Sequence, residues 1–229
     1  NLADTKTKAQ GLFTFGGTAT NLYAIKIGTK KASINSGREG MPKNVKVIVT
    51  KDSHFSHTVS ADWLGIGTDN VITVEPNLDR TSNLKDAEKK IRKVFEEGNL
   101  LSTIIINGGT TYNHTIDDIK SFIELRDKVV KDFSLPYKPH IHVDSVIGWI
   151  WLMFKDYDFV KNDLKLDRET LFSIKKQYRK ISYLKYADSW GVDFHNGAGA
   201  CPVPCSLIMF NKMKDLNLLS KKEGSSVNI

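Results

Sequence analysis

"LSTIIINGGTTYNHTIDDIKSFIELRDKVVKDFSLPYKPHIHVDSV", residues 101–146, decides the fold. Its start, "LSTIIIN" (101–107), is a continuous apolar run of the kind that forms a strand buried on both faces. "TIDDIKSFIELRDKVVKDF" (115–133) has helical spacing, with Thr115 as the expected cap and acids in the first turn. Pro139 then precedes "HIHVDSV" (140–146), which reads as another strand. The same order recurs on either side. "VKVIVT" (45–50) and "NVITVEP" (70–76) read as strands. "SHTVSADWLGIG" (56–67), "NLKDAEKKIRKVFEEGN" (83–99, with Asn83 as cap and Gly98 as stop) and "DRETLFSIKKQYRKI" (167–181) read as helices. Short strands are expected near 186–193 and 205–211. Strands alternating with helices at this spacing predict an α/β fold with a mostly parallel sheet covered on both faces.

The chain has 229 residues, a hydrophobic fraction of 40% and a net charge of +7. That is enough chain for one large domain with a real core. The basic residues sit beside acids in helical segments such as "SIKKQYRK" and read as solvated helix faces, so no nucleic-acid partner is expected. The apolar run "VIGWIWLMF" (146–154) is too short to cross a bilayer, and no membrane partner is expected. Cys201 and Cys205 have no second pair to complete a zinc site, and read as reduced, packed thiols of a cytoplasmic protein.

In such a sheet ligands gather at the carboxyl ends of the strands. That rule selects "GGTAT" (16–20), "KDSHFSH" (51–57), "NGGTTYNHT" (107–115), "DSVIG" (144–148) and "DFHNGAGACPVP" (193–204). Gly16-Gly17-Thr18 stands before a helix, where glycine lets the backbone approach an anion and free N–H groups with the Thr18 hydroxyl can hold a phosphate. The segment is neither a P-loop nor a dinucleotide fingerprint. His54 can act as an aromatic plate or acid–base group over a bound ring. Thr110 and Thr111 are turn caps or cofactor contacts.

On a strand, His140, His142 and Asp144 share one face. One reading is a metal-dependent hydrolase site using these three, with His54, His57, His114 or His195 as further ligands. The longer H-x-H-x-D-H pattern fails at Ser145. The other reading needs only Asp144, a carboxylate that pairs with a protonated ring nitrogen of a cofactor, with His140 and His142 as packing and support.

Taken in order, the loops resemble the group II pyridoxal-phosphate (PLP) decarboxylases, a family of fold-type I. The resemblance runs from about residue 11 to about residue 212. "FTFGGTATNLYAI" resembles the family's phosphate loop, which implies that Gly17 and Thr18 hold the phosphate. "KDSHFSHTVSADWLGIG" resembles its S-x-H-x-S segment, which makes His54 the residue that stacks on the pyridine ring. "NGGTTYNHTIDDI" resembles its G-T-T…D-D segment and puts Thr111 near the ring. "HIHVDSV" resembles its H-V-D-A-A strand, with Asp144 as pyridinium partner and Ser145 in place of a small Ala. "YADSWGVDFHN…PVPCSLIMF" resembles its D-S…D-x-H-K…P…C segment, with His195 in the place of the His.

The resemblance implies a three-layer α/β/α large domain over residues 1–215, incomplete relative to the family. Residues 216–229 would be a tail or the start of a connection to a missing C-terminal domain. It also implies PLP as cofactor, an amino acid substrate, a homodimer, and decarboxylation of an L-amino acid. One departure bears on that activity. The family's Schiff-base lysine follows His195, and here that position is Asn196, which has no nucleophilic amine. Neither Lys185 nor Lys212 replaces it. Impaired turnover is expected, with a catalytically inactive PLP-fold scaffold subunit as the alternative.

Overall fold

The computed structural model describes residues 10–196 and 201–219. The elements in chain order are β1 (Gln10–Thr14), α1 (Gly17–Ala32), α2 (Ser36–Glu39), β2 (Val45–Thr50), α3 (Ser56–Trp63), β3 (Val71–Val74), α4 (Leu84–Glu96), β4 (Leu100–Asn107), α5 (Ile119–Asp132), β5 (His140–Asp144), α6 (Arg168–Ile181), β6 (Ser189–Asp193), β7 (Ser206–Phe210) and α7 (Met213–Leu216). Seven strands form one sheet in the order β1-β7-β6-β5-β4-β2-β3. β3, β2, β4, β5 and β6 run parallel. β7 is antiparallel to both β6 and β1.

Alternation along the strands assigns the two faces. Ile104 and Ile106 of β4, Ile141 and Val143 of β5 and Trp190 of β6 are buried against α4 and α5. The opposite face carries α1 and α3, with Ile25 and Ala61 packed on Val47, Val49 and Ile105. The result is a three-layer α/β/α sandwich of the expected class. The apolar face of α4 and α5 covers one side, as their 3.6-residue periodicity requires. α1 instead buries Ala19, Ala24, Ile25, Ile27 and Gly28, because it crosses the middle of the sheet.

Helix starts follow local chemistry. Asn83 accepts from the N–H groups of Lys85 and Asp86, and Asp167 accepts from those of Glu169 and Thr170. Such caps satisfy N–H groups that have no partner within the helix. Thr115 does not cap α5. That helix begins at Ile119, with Asp118 accepting from the Ser121 N–H at 3.1 Å. The reason lies in Asp117, which is buried and accepts from the N–H groups of Ser82 and Asn107 at 2.7 and 3.0 Å. This carboxylate ties the chain to the end of β4 and to Ser82 ahead of the helix start. One further expectation shifts: α3 ends at Trp63, short of the expected Gly67. The run after β5 forms a 3₁₀ helix over Gly148–Phe154. The antiparallel edge strand β1 is not announced by the sequence pattern.

Candidate functional site

The strand order reverses between β2 and β4, and the carboxyl ends of β2, β4, β5 and β6 open there onto a cavity of about 330 Å³. This is the crevice where open α/β sheets bind ligands. Gly17, Thr18, His54, Thr111, Asp144 and Asn196 all line it.

One end of the cavity is the start of α1. Gly16 has φ of 108°, a conformation that glycine adopts without strain. A Cβ on Gly17 would lie 2.8 Å from Val146 Cγ2, so only glycine lets the helix start approach the β5 loop this closely. Among the described residues no side chain caps α1, and no acid stands in its first turn. Its N–H groups therefore meet the cavity with no competing carboxylate, which is the donor set an anion requires.

Asp144 stands at the far side of the cavity, at the end of β5. Asn21 Nδ2 donates to Asp144 Oδ2 at 2.9 Å and lies 3.0 Å from Ser56 Oγ. One carboxylate oxygen is thus oriented by α1, while the Val146 N–H is at 3.4 Å from the other. The His57 ring, fully buried, lies 4.0 Å from Asp144 and is pushed down to about 4 by burial, so it stays neutral. The chemistry fits a ring nitrogen: an aligned carboxylate faces the cavity without a cation already paired to it. His54 is exposed above the same space, its Nδ1 accepting from the Ser56 N–H at 3.2 Å, which sets the plane of the ring.

Asn196 closes the β6 side. Asp193 is buried and accepts from the His195 N–H at 2.9 Å, the Ser206 hydroxyl at 3.0 Å and the Asn196 side-chain amide. The Asn196 side chain is thereby drawn onto its own turn. No lysine of the described residues lines the cavity. Two residues named from the sequence lie elsewhere. Ser145 is fully buried with its hydroxyl donating to the Gly191 carbonyl, and His195 turns its Nδ1 to the Cys201 carbonyl oxygen at 3.0 Å. Residues 197–200, within the Gly-rich part of that loop, lie outside the described residues.

His140 and His142 face α1 below the cavity. Both are fully buried and both meet Ser189 Oγ at 2.7 Å. Burial pushes His142 down to about 3 and His140 well below its usual range. Among the described residues, no three His, Cys, Asp or Glu side chains converge as metal ligands. Nor, among the same residues, is any helix long and apolar enough to cross a membrane. Asn21, Ser56 and Asn107 also belong to the site, and sequence reasoning misses them. Asn21 carries a usable signal: it stands four residues after Gly17 and so shares its helix face.

No family model matches the chain. Curated relatives do. It is 26% identical over 183 residues to the L-2,4-diaminobutyrate decarboxylase of Acinetobacter baumannii, covering 73% of this chain and 34% of that protein. It is 32% identical over 187 residues to the L-tyrosine decarboxylase of Enterococcus faecalis, covering 76% and 30% respectively. Among solved structures, the glutamate decarboxylase domain of diaminobutyrate-pyruvate transaminase and L-2,4-diaminobutyrate decarboxylase from Vibrio parahaemolyticus superposes with a TM-score of 0.70 at 26% identity, over 93% of this chain and 41% of that one. The chain therefore spans less than half the length of these relatives. These homologues and structural neighbours are group II pyridoxal-phosphate-dependent amino acid decarboxylases of fold-type I, and the chain is similar to them in sequence and in fold over the segment it spans.

Proposed function

We propose that this chain is the cofactor-binding large domain of an L-amino acid decarboxylase and that it holds pyridoxal 5'-phosphate without a covalent bond. The observation that carries this reading is the cavity wall itself. A phosphate-ready helix start and an aligned carboxylate face one space, and the position of the family lysine is Asn196, bonded to Asp193. When bound, the cofactor supplies an electron sink for the carbanion left by loss of carbon dioxide.

The chain's own residues divide the work. Gly17 and Thr18 bind the phosphate through N–H and hydroxyl donors. Asp144, held by Asn21, accepts the ring N–H and keeps that nitrogen protonated. His54 covers one face of the ring. Thr111 borders the substrate side. Asn196 offers a neutral amide where an amine is needed, so binding persists and turnover falls steeply. An amino acid substrate, a homodimeric assembly and a cytoplasmic setting accompany this reading. The alternative of an inactive scaffold subunit is favoured by the same Asn196.

Reduction with borohydride tests it. After incubation with the cofactor, the chain is expected to show uptake that dialysis reverses and no reduced adduct at the site, whereas Asn196→Lys is expected to carry the adduct on the introduced lysine, located by mass. Absence of uptake by both folded proteins overturns the reading. Uptake by both without an adduct on the introduced lysine favours the scaffold subunit.

A further inference from the structure

Beneath the cavity, one face of β5 and the underside of α1 hold a continuous row of buried polar groups. At the C-terminal end of α1, Lys31 Nζ lies 2.7 Å from Asp215 Oδ2 and 2.9 Å from His140 Nδ1. His140 Nε2 lies 2.7 Å from Ser189 Oγ, which lies 2.7 Å from His142 Nδ1. His142 Nε2 is buried with no hydrogen-bond partner. Asp144 follows two residues later on the same strand face, with His57 beside it.

The donor inventory gives this row a single direction. An ammonium only donates, so His140 Nδ1 must accept and the hydrogen of the neutral ring sits on Nε2. His140 Nε2–H then donates to Ser189 Oγ. The one hydroxyl hydrogen of Ser189 is left for His142 Nδ1, which accepts. The hydrogen of His142 is thus confined to Nε2, on the side of the ring away from Ser189. Reversing the Lys31–His140 or His140–Ser189 link would set two donors against each other, and reversing the Ser189–His142 link would leave the buried Ser189 hydroxyl hydrogen without an acceptor, at the cost of an unmade hydrogen bond.

We infer that Lys31 is a positioning residue that acts through His140 and Ser189 to fix the hydrogen of His142 on Nε2, so that the buried row beneath the cavity ends in a donor. The N–H dipole of His142 then lies on the strand face that Asp144 shares two residues on, which favours the carboxylate that a protonated ring nitrogen needs. That last consequence rests on the proposed cofactor reading. The tautomer itself does not.

The test is a long-range proton–nitrogen correlation spectrum of histidine-labelled protein without cofactor, at neutral pH, with assignments from single His substitutions. His140 and His142 are both expected as neutral rings carrying hydrogen on Nε2. In Lys31→Met no ammonium donates to His140 Nδ1, so that nitrogen is released to carry the ring hydrogen, Ser189 turns round, and His142 is expected to move its hydrogen to Nδ1. Lys31→Arg, which still donates, is expected to retain the original pattern. A folded Lys31→Met protein in which His142 keeps its hydrogen on Nε2 overturns the proposal, whatever happens at His140. If Lys31→Met does not fold, the unaltered protein still decides: hydrogen on Nδ1 of His142 overturns it. A cofactor that fails to bind, with the tautomers as stated, removes the functional reading and leaves the relay standing.

Discussion

The two ends of α1 lie over the same strand and are built from similar polar residues, yet they differ in what their side chains have left to bind. At the C-terminal end, Lys31 pairs with Asp215, and Asp188 pairs with Arg126 at 2.7 Å. The buried charges of Lys31, Asp215, Asp188 and Arg126 are thus answered within the protein. At the N-terminal end, among the described residues, the first-turn N–H groups have no capping side chain, and Asp144 has Asn21 as its hydrogen-bonded side chain and no cation. A polar group becomes available to a ligand when the fold orients it but leaves its charge unanswered. Burial alone does not mark such a group, since His140 is more buried than Asp144 and has no access to the cavity.

Breaking each end separately is the sharpest test of that contrast. Lys31→Met removes the partner of the buried Asp215 and is expected to cost about 3 kcal/mol of stability, read from urea unfolding. Asp144→Asn keeps the Asn21 contact and is expected to cost less than about 1 kcal/mol, because one acceptor remains. Its effect should appear in cofactor titration, where uptake is lost. Equal destabilisation by the two changes would mean that the ends do not differ in kind.

Acid should act on the buried row between them. His57 and His142 stay neutral in the folded protein down to about pH 4 and about pH 3, while the unfolded rings take up a proton near pH 6.5. Below that value the unfolded chain binds more protons, so stability is complete above pH 6.5 and falls as the pH drops. At pH 5 the loss is on the order of 2 kcal/mol per ring. His57→Gln and His142→Gln should each flatten the dependence of the urea midpoint on pH between 7 and 5, and unchanged steepness in both would show that other groups carry it.

Smaller effects calibrate the comparison. Asn83→Ala, remote from α1, removes the cap of α4 and is expected to cost about 1 kcal/mol with cofactor uptake unchanged. Asn196→Lys changes an exposed side chain, so stability should move by less than about 0.5 kcal/mol. Its gain of covalent trapping, set against that small change, isolates chemistry from folding.

Much of this molecule is legible in its sequence. The bounds of β2 and the cap Asn83 follow from local patterns, because a buried strand needs a continuous apolar run and a helix start needs a short polar acceptor. Of the site positions, His54 and Asp144 stand out by their place after strands, Gly17 by its place before a helix and Asn196 by the family resemblance, and the fold brings all four to one cavity. The start of α5 is not legible in the same way, because Asp117 is claimed by the distant N–H groups of Ser82 and Asn107, a choice that no local window contains.

By itself the sequence determined the layers, the parallel centre of the sheet and the loops that carry chemistry, since these depend on periodicity and on where strands end. The tertiary structure alone decided the antiparallel β1-β7-β6 edge, the turning of Ser145 and His195 away from the cavity, and the part played by Asn21. It also decided that His140 and His142 serve one buried hydroxyl, because hydrogen-bond partners far apart in the chain are chosen by packing, and packing is a property of the whole fold.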